Sequence, residues 1–422
     1  DPNRIKGKMN YTVWSDVFLC PNCGQEMVFW DLAVDQKKGS IANAWNCPAC
    51  GTRVAKAPRK GSGALRAERA WETHFDRELK QTVRQAKQVP VLINYSVGKK
   101  RFEKRLDAWD LALIQKIEEM DIPYWVPSNQ IFQGDKTSDP LSVGITHIHH
   151  FYTRRNIFIL SALYFKINKL TNLLGAFIST LQGLSKMQRY SPGSTFPNMI
   201  LSGTLYVGSL IREWNVINWF TGKVRGLSHS FNNRKSINKD NVILQTCSIT
   251  TNTAKKNNYT DYVFIDPPFG SNVMYSELNF IWETWLRVVT CNEKEVIINK
   301  TQNKNLYDYQ QLILDSFIYC FDNLKPGRWL TIVFHNSSNA IWNVIQETLQ
   351  QAKFVIADVH VMDRKQETFN QSTSYGAVKK DLIISAYKPN GNLEERFRLH
   401  AGTIEGVWDF VRYHLGKLPV VN

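Results

Sequence analysis

Two groups of residues in this chain have types and spacings that suit chemistry. The first, Asp266-Pro267-Pro268-Phe269, directly follows the β-prone segment Asp261–Ile265. A strand that stops at an acid and two prolines predicts a rigid loop at its carboxyl end, where open α/β sheets place ligands. The Asp266 carboxylate and the Pro267 carbonyl can accept hydrogen bonds from an exocyclic amine while Phe269 stacks on its ring. Taken alone, the same four residues also fit a turn closed by prolines.

The second group consists of four cysteines, which form two Cys-x-x-Cys pairs separated by 23 residues: Cys20, Cys23, Cys47 and Cys50. Two such knuckles can bring four thiolates to one ion in a tetrahedral arrangement. Because four protein thiolates close the coordination shell, we predict a structural Zn²⁺ site. Two disulfides are the alternative, but no export signal indicates an oxidising compartment. The other cysteines, Cys247, Cys291 and Cys320, lie in apolar contexts and are predicted to be buried.

A third feature is the charge of the chain, which has 422 residues and a net charge of +15. Fifteen Lys/Arg and five Asp/Glu lie between Arg53 and Arg105, so this segment carries two thirds of the net charge. Such a concentration favours binding to a polyanion, although a solvated helix face is the plain alternative. No apolar run reaches the roughly 18 residues that span a bilayer. We therefore expect a soluble, cytoplasmic protein without a membrane partner. Because the sequence begins with Asp1 and not with Met, we also expect a fragment or a processed product.

The order of composition changes along the chain predicts five segments. They are a zinc ribbon with its flanks (1–58), a basic linker or insert (59–140), a helical target-recognition region (141–240), a catalytic half (241–390) and a C-terminal tail (391–422). Within the recognition region, His147, His149 and His150 resemble a metal cluster. No carboxylate or cysteine lies near them in sequence, so the ligand count does not favour a metal there.

The catalytic half alternates between strand and helix patterns. We predict strands at Val242–Gln245, Asp261–Ile265, Trp329–Phe334, Phe354–His360 and Leu382–Tyr387. This alternation indicates a mostly parallel sheet that is covered on both faces. The polar loop of residues 363–379 allows the last strand to run antiparallel.

Longer motifs connect these residues with a known family. The Asp-Pro-Pro-Phe motif after a strand resembles motif IV of S-adenosylmethionine-dependent amino-methyltransferases. The whole set, together with the four cysteines, resembles the large bacterial zinc-ribbon adenine-specific DNA methylases: Phe264–Asn272, Tyr275–Phe280, Lys325–Trp329 and Phe334–Asn336. The resemblance implies a Rossmann-like class I methyltransferase sheet of seven strands with an antiparallel last strand, a setting in restriction-modification or phage defence, and double-stranded DNA with a flipped base as partner.

The resemblance also assigns residues to roles. The implied catalytic residues are Asp266, Pro267, Pro268 and Phe269. The implied substrate-binding residues are Gly270, Tyr275, Asn279, His335 and Asn336. Ser248 and Asp266 are the implied cofactor contacts.

One part of the family pattern is missing from the sequence. The glycine-rich turn between a strand and a helix, which holds the methionine end of S-adenosylmethionine, does not occur before Val242. Gly61-Ser62-Gly63 follows a basic linker instead of a strand. We therefore expect an N-terminal segment or another subunit to complete the cofactor pocket.

The sequence thus predicts methyl transfer to the N6 amine of a flipped adenine in DNA. Asp266 as the first motif residue fits adenine better than cytosine N4, because the cytosine enzymes more often carry serine there. Gly270 leaves RNA as a second possible substrate, at guanine N2 or adenine, since transfer-RNA guanine-N2 methyltransferases also carry glycine after this motif. A non-catalytic zinc-ribbon protein that binds nucleic acid is the alternative from a different class.

Overall fold

The structure, a computed structural model, describes residues 7–194, 200–232, 242, 244–251, 257–335, 338–363, 380–390, 403, 404, 408 and 411. The chain forms two compact units, which both contain helices and strands. Unit 1 comprises Asp1–Asn241 and Ser276–Thr290, and unit 2 comprises Val242–Tyr275 and Cys291–Asn422. Among the described helices, none combines the length and the apolar character needed to cross a membrane.

Unit 1 is organised around the long strand β1 (Lys8–Leu19). The strands that follow it are β2 (Glu26–Val28), β3 (Val34–Asp35), β4 (Ser40–Ile41), β5 (Trp45–Asn46), β6 (Arg53–Ala55), β7 (Leu65–Arg66), β8 (Glu68–Arg69), β9 (Trp71–Asp76), β10 (Gln81–Ala86), β11 (Gln88–Val97), β12 (Lys100–Lys104) and β13 (Leu210–Trp214). β1 pairs antiparallel with β11 and β13, and its carboxyl end pairs with β2 and β8. The order β12-β11-β1-β13 places strands from the basic segment directly in this sheet.

Some of the helices of unit 1 begin at side-chain caps. They are α1 (Phe29–Ala33), α2 (Ala108–Glu118), α3 (Ser138–Leu141), α4 (Arg154–Ile167), α5 (Thr171–Leu181), α6 (Val216–Asn232) and, from Ser276 onward, α7 (Tyr275–Leu286). Asp107 caps α2 by accepting the N–H groups of Trp109 and Asp110, and Thr153 caps α4. Such caps satisfy backbone donors that have no partner within the helix.

Helix α7 supplies the centre of the unit 1 core. Trp285 is fully buried, and its ring lies 5.2 Å from that of Phe177 and 5.6 Å from that of Tyr164, measured between centroids. Glu277 is also fully buried and accepts the backbone N–H groups of Asp135 and Lys136 at 3.2 and 2.6 Å. Unit 1 is therefore complete only with residues that follow position 275.

Unit 2 contains a four-stranded sheet flanked by two long helices. Its elements are β14 (Thr260–Ile265), α8 (Leu306–Asn323), β15 (Leu324–Phe334), α9 (Asn339–Gln351), β16 (Val355–Asp363) and β17 (Lys380–Tyr387). The strand order is β14-β15-β17-β16. β14 runs parallel to β15, whereas β17 runs antiparallel to both β15 and β16. Buried apolar residues of α8 and α9 pack against this sheet.

The fold agrees with the sequence prediction at the level of a mixed α/β chain. The finer expectation of a mostly parallel sheet is not met by the described strands, in which only the pairs β6–β7 and β14–β15 are parallel. The physical reason in unit 2 is that β17 inserts between β15 and β16 in the opposite direction. The predicted strand at Val242–Gln245 is wrong in its described part, since residues 242, 244 and 245 form no strand.

Two predictions of burial are also wrong. Tyr262 and Phe264 in β14 are 54% and 60% exposed, because they point to the face of the strand opposite the one on which Val263 and Ile265 pack against the core. Cys247 and Cys291 are exposed, and only Cys320 of the three remaining cysteines is buried as expected.

Candidate functional sites

The four predicted metal ligands lie on two backbone knuckles of the same geometry. In the first knuckle, Gly24 N–H donates to the Cys20 carbonyl at 2.8 Å, and Cys20 N–H donates to Gln25. The second repeats this pattern with Gly51, Cys47 and Thr52. Gly24 and Gly51 have φ values of +74° and +73°, a conformation that glycine adopts without strain. The glycine after each cysteine pair therefore closes the turn that presents two thiols.

The thiols of the two knuckles meet. Cys20 Sγ lies 3.6 Å from Cys50 Sγ, and Cys23 Sγ lies 3.6 Å from Cys47 Sγ, with all four sulfurs within 4.8 Å of one another. None of them is in a disulfide. Hydrogen bonds from the Thr52 hydroxyl and backbone lower the pKa of the Cys50 thiol to about 5, which favours the thiolate. The donor set of four soft thiolates fits Zn²⁺ in a closed site.

A basic cleft of about 680 Å³ lies beside this cluster in unit 1. Its walls carry four cationic side chains, those of Arg53, Lys56, Arg59 and Arg189, and no acidic one among the described residues. Aromatic groups line it as well, including Phe29, Tyr190 and Tyr206. Burial lowers the pKa of Lys56, whose ammonium group lies 5.2 Å from the centroid of the Phe29 ring. The combination of cations and aromatic faces suits an anionic ligand that carries a flat ring.

In unit 2, the segment Asp266–Phe269 follows β14 at the carboxyl end of a parallel strand pair. The buried Tyr309 of α8 donates its hydroxyl to the Pro268 carbonyl at 2.8 Å. Ile298 N–H donates to the Gly270 carbonyl at 3.2 Å, and Gly270 itself has φ of +70°. These two hydrogen bonds fix the loop at Pro268 and Gly270. Asp266, which precedes the prolines, is exposed and has no hydrogen-bond partner among the described residues.

Two more predicted residues lie near this loop. The Phe269 ring contacts those of Phe334 and His335 edge-on, with centroids 5.3 and 6.2 Å apart. His335 Nδ1 lies 2.8 Å from a carboxylate oxygen of the buried Asp381, which holds the imidazole at the end of β15. Burial raises the pKa of Tyr275, and the negative charges of Asp266 and Glu295 raise it further. Asp266, Phe269, Gly270, Tyr275 and His335 therefore form one neighbourhood.

The roles of three more predicted residues stay predictions. Asn279 lies one helical turn after Tyr275 in α7. Ser248 Oγ is hydrogen-bonded to Thr250 Oγ1 at 2.8 Å, which is a local contact of a short turn. Asn336 lies outside the described residues.

Sequence reasoning missed some residues that hold these sites. Tyr309 could not be identified from sequence, because a tyrosine at a core-facing helix position predicts packing only. The role of Glu277 was also missed, since its carboxylate is buried and accepts the backbone N–H groups of Asp135 and Lys136. The aromatic wall of the basic cleft comes partly from Tyr190 and Tyr206, far from the cysteines in sequence.

Comparisons with known proteins give little beyond this geometry. No protein-family model and no curated protein matches the chain. Among solved structures, a chain from Thermus thermophilus, described as a candidate DNA modification methylase, is 14% identical with a TM-score of 0.21. The match covers 33% of this chain and 48% of that one, so it spans about half of that protein's length. A TM-score this low does not establish a common fold.

Proposed function

We propose that this protein is an S-adenosylmethionine-dependent methyltransferase that acts on the exocyclic N6 amine of a flipped adenine in DNA. The observation that carries the proposal is the loop Asp266–Phe269, fixed by Tyr309 at the carboxyl end of β14 with its acidic residue exposed. Enzymes that modify a base must take it out of the stack and hold it by hydrogen bonds and stacking. This loop offers both kinds of contact within four residues.

The arrangement of strands supports the same proposal. The resemblance in sequence implies a sheet whose last strand runs antiparallel to its neighbours. In unit 2, the last described strand, β17, lies between β15 and β16 and is antiparallel to both. The candidate loop follows the carboxyl end of β14, which is parallel to β15, and open α/β sheets place their ligands outside the carboxyl ends of such strands.

The chemistry that the loop can perform is positioning of a poor nucleophile. The lone pair of an aromatic amine is delocalised into its ring. Hydrogen bonds from the amine to the Asp266 carboxylate and the Pro267 carbonyl favour a tetrahedral nitrogen with a localised lone pair. Phe269 stacks on the base, and its edge-on contact with Phe334 keeps its ring in place.

S-adenosylmethionine would supply the methyl group. The described residues fit the acceptor side of this reaction and not the whole cofactor site. Gly61 and Gly63 lie in a turn between the short strands β6 and β7, and no helix follows them there. The proposal therefore includes a further segment or subunit for the cofactor pocket, and the exposed aromatic face of β14 supports such an addition.

The proposed partner is DNA, and the proposed metal is Zn²⁺ at the four cysteines. The basic cleft supports DNA as the partner, because cations next to aromatic rings suit a phosphate with its base, and the four converging thiols support Zn²⁺. Zinc would join the two knuckles and so hold Trp45 and Arg53 in the cleft wall. RNA as the substrate is the second candidate, because Gly270 extends the motif to the ending found in guanine-N2 enzymes.

Methyl transfer from labelled S-adenosylmethionine to unmethylated DNA tests the proposal, with the full-length gene product as enzyme. We expect label in N6-methyladenine and its loss in Asp266→Ala. Asp261→Ala is the matched control, since Asp261 lies at the opposite end of β14 and pairs with Lys325 and Arg328 on the surface. No label in DNA or RNA would exclude the enzyme, and label in RNA alone would select the second candidate. Equal label in both variants would remove Asp266 from the mechanism.

A further inference from the structure

A second group of metal-ligand side chains lies in unit 1, apart from the four cysteines. We propose that Asp76, His149 and His150 bind one divalent transition-metal ion, of the class that includes Zn²⁺ and Co²⁺. Asp76 is the last residue of β9, and the two histidines lie in a short 3₁₀ turn, Ile148–Phe151. All three side chains are buried.

The geometry joins residues that are far apart in sequence. Asp76 Oδ2 lies 2.8 Å from His149 Nε2 and 2.7 Å from His150 Nε2. All three candidate ligand atoms lie within 4.8 Å of one another. The sequence showed the histidines but no carboxylate near them, and the fold supplies that carboxylate from 73 residues upstream of His149. With Asp76, the cluster offers three candidate ligands, so the ligand count no longer argues against a metal at this place.

Neighbouring groups hold the ligands in place. The other carboxylate oxygen, Asp76 Oδ1, accepts the N–H groups of Glu78 and Leu79 at 2.9 and 3.0 Å, so Oδ2 is directed at the histidines. Thr146 also contacts the His150 ring, since its backbone N–H donates to Nδ1 at 3.3 Å and its hydroxyl lies 3.4 Å from the same atom. Such outer contacts orient metal-binding imidazoles in known sites.

Two observations are consistent with a cation at this cluster. Among the described residues, no Lys or Arg forms an ion pair with Asp76, and its buried carboxylate is met by two backbone N–H groups and two imidazoles. His149 Nδ1 is buried and has no hydrogen-bond partner in the described part of the chain. Among the described residues, the hydrogen bond of the His149 imidazole is therefore the one between its Nε2 and Asp76 Oδ2. A divalent ion there would neutralise the carboxylate and bind both imidazoles at once.

The ligand set also indicates what kind of site this is. Two imidazoles and one carboxylate are three protein ligands, which leave at least one position for water or another group. The four-cysteine cluster has no such position. The two sites therefore differ in their ligand atoms and in whether their coordination shells are complete, and these differences can be measured separately.

Metal content and Co²⁺ spectra of the full chain test the proposal. We expect two bound ions per chain in wild type, one in the Cys20→Ser, Cys50→Ser double variant and one in Asp76→Asn. Asp16→Asn is the matched control, because Asp16 is equally buried but pairs with Arg69, and it should keep two. The Co²⁺ form of the cysteine double variant should show visible bands without thiolate charge-transfer absorption.

One ion per chain in wild type that is lost in the Cys20→Ser, Cys50→Ser double variant would overturn the proposal. So would an unchanged ion count in folded Asp76→Asn. If Asp76→Asn does not fold, titration of metal-free wild type with Co²⁺ decides. A second equivalent that adds visible bands without thiolate absorption supports the site, and a titration that ends after one thiolate-bound equivalent refutes it. No step of this test depends on methyl transfer.

Discussion

The hydroxyl of Tyr309 is predicted to hold the candidate base-binding loop in its working geometry. It donates a 2.8 Å hydrogen bond to the Pro268 carbonyl, and the ring is fully buried between α8 and the sheet. Tyr309→Phe removes this bond and keeps the ring, so no cavity of consequence forms. A buried hydrogen bond of this kind contributes about 1 kcal/mol, with an upper limit of roughly 3 kcal/mol if the carbonyl finds no water.

The same free energy sets the expected effect on the loop. About 1 kcal/mol corresponds to a roughly fivefold change in an equilibrium or a rate, since about 1.36 kcal/mol is tenfold. We therefore expect amide hydrogen exchange in residues 269–272 to become about five times faster and kcat/KM for methyl transfer to fall by a similar factor. The exchange measurement holds even without an active enzyme.

Tyr262→Phe is the matched control for this experiment. The Tyr262 hydroxyl donates to Thr331 Oγ1 at 2.8 Å on the exposed face of the same sheet, where water can replace the lost bond. Its removal should change loop exchange and kcat/KM by less than about twofold, which is the effect of a few tenths of a kcal/mol. Equal effects of the two variants, or no effect of Tyr309→Phe on the loop, would refute the positioning role.

Three further predictions concern unit 1. Gly134→Ala should lower the free energy of unfolding by about 2 kcal/mol or more, because its Cβ would come within 2.4 Å of the Glu277 carboxylate. Gly175→Ala is the control: it lies in open space on α5 and should raise the free energy of unfolding by up to about 1 kcal/mol. Urea unfolding measures both. Chelation of the proposed zinc, or Cys20→Ser, should release one ion and lower the melting temperature of the ribbon, and full metal retention would contradict the four-thiolate site. Binding of a short oligonucleotide should weaken as pH rises through the lowered pKa of Lys56, since the positive charge of this side chain is lost there. Lys56→Arg should keep its affinity over the same pH range. If affinity falls with pH in the same way for both proteins, Lys56 is not part of the interface.

Local sequence patterns predicted the parts of this protein that depend on short segments. The two cysteine knuckles could be foreseen because each is closed within six residues by its own glycine. The strands β15 and β17 were also foreseen, and their predicted last residues, Phe334 and Tyr387, are the observed ones. The role of Asp266 stays a prediction, because its chemistry depends on a substrate.

Features that join distant segments could not be predicted in this way. Nothing near Asp76 in sequence indicates that two histidines will meet it, because β9 and the 3₁₀ turn are brought together only by the fold of unit 1. The exposure of Tyr262 and Phe264 was missed for a related reason. A run of apolar residues predicts a strand but does not show whether one or both of its faces will be covered.

The assignment of helix α7 to unit 1 has a consequence for how the chain is made. Trp285 lies at the centre of the unit 1 core, yet it is synthesised after β14 and the candidate loop of unit 2. During translation, the core of unit 1 therefore lacks the Trp285 indole until α7 has left the ribosome. Truncated chains that stop before α7 would retain that apolar gap, so chaperone dependence and poor yield are expected for them even though all thirteen described strands of unit 1 are present.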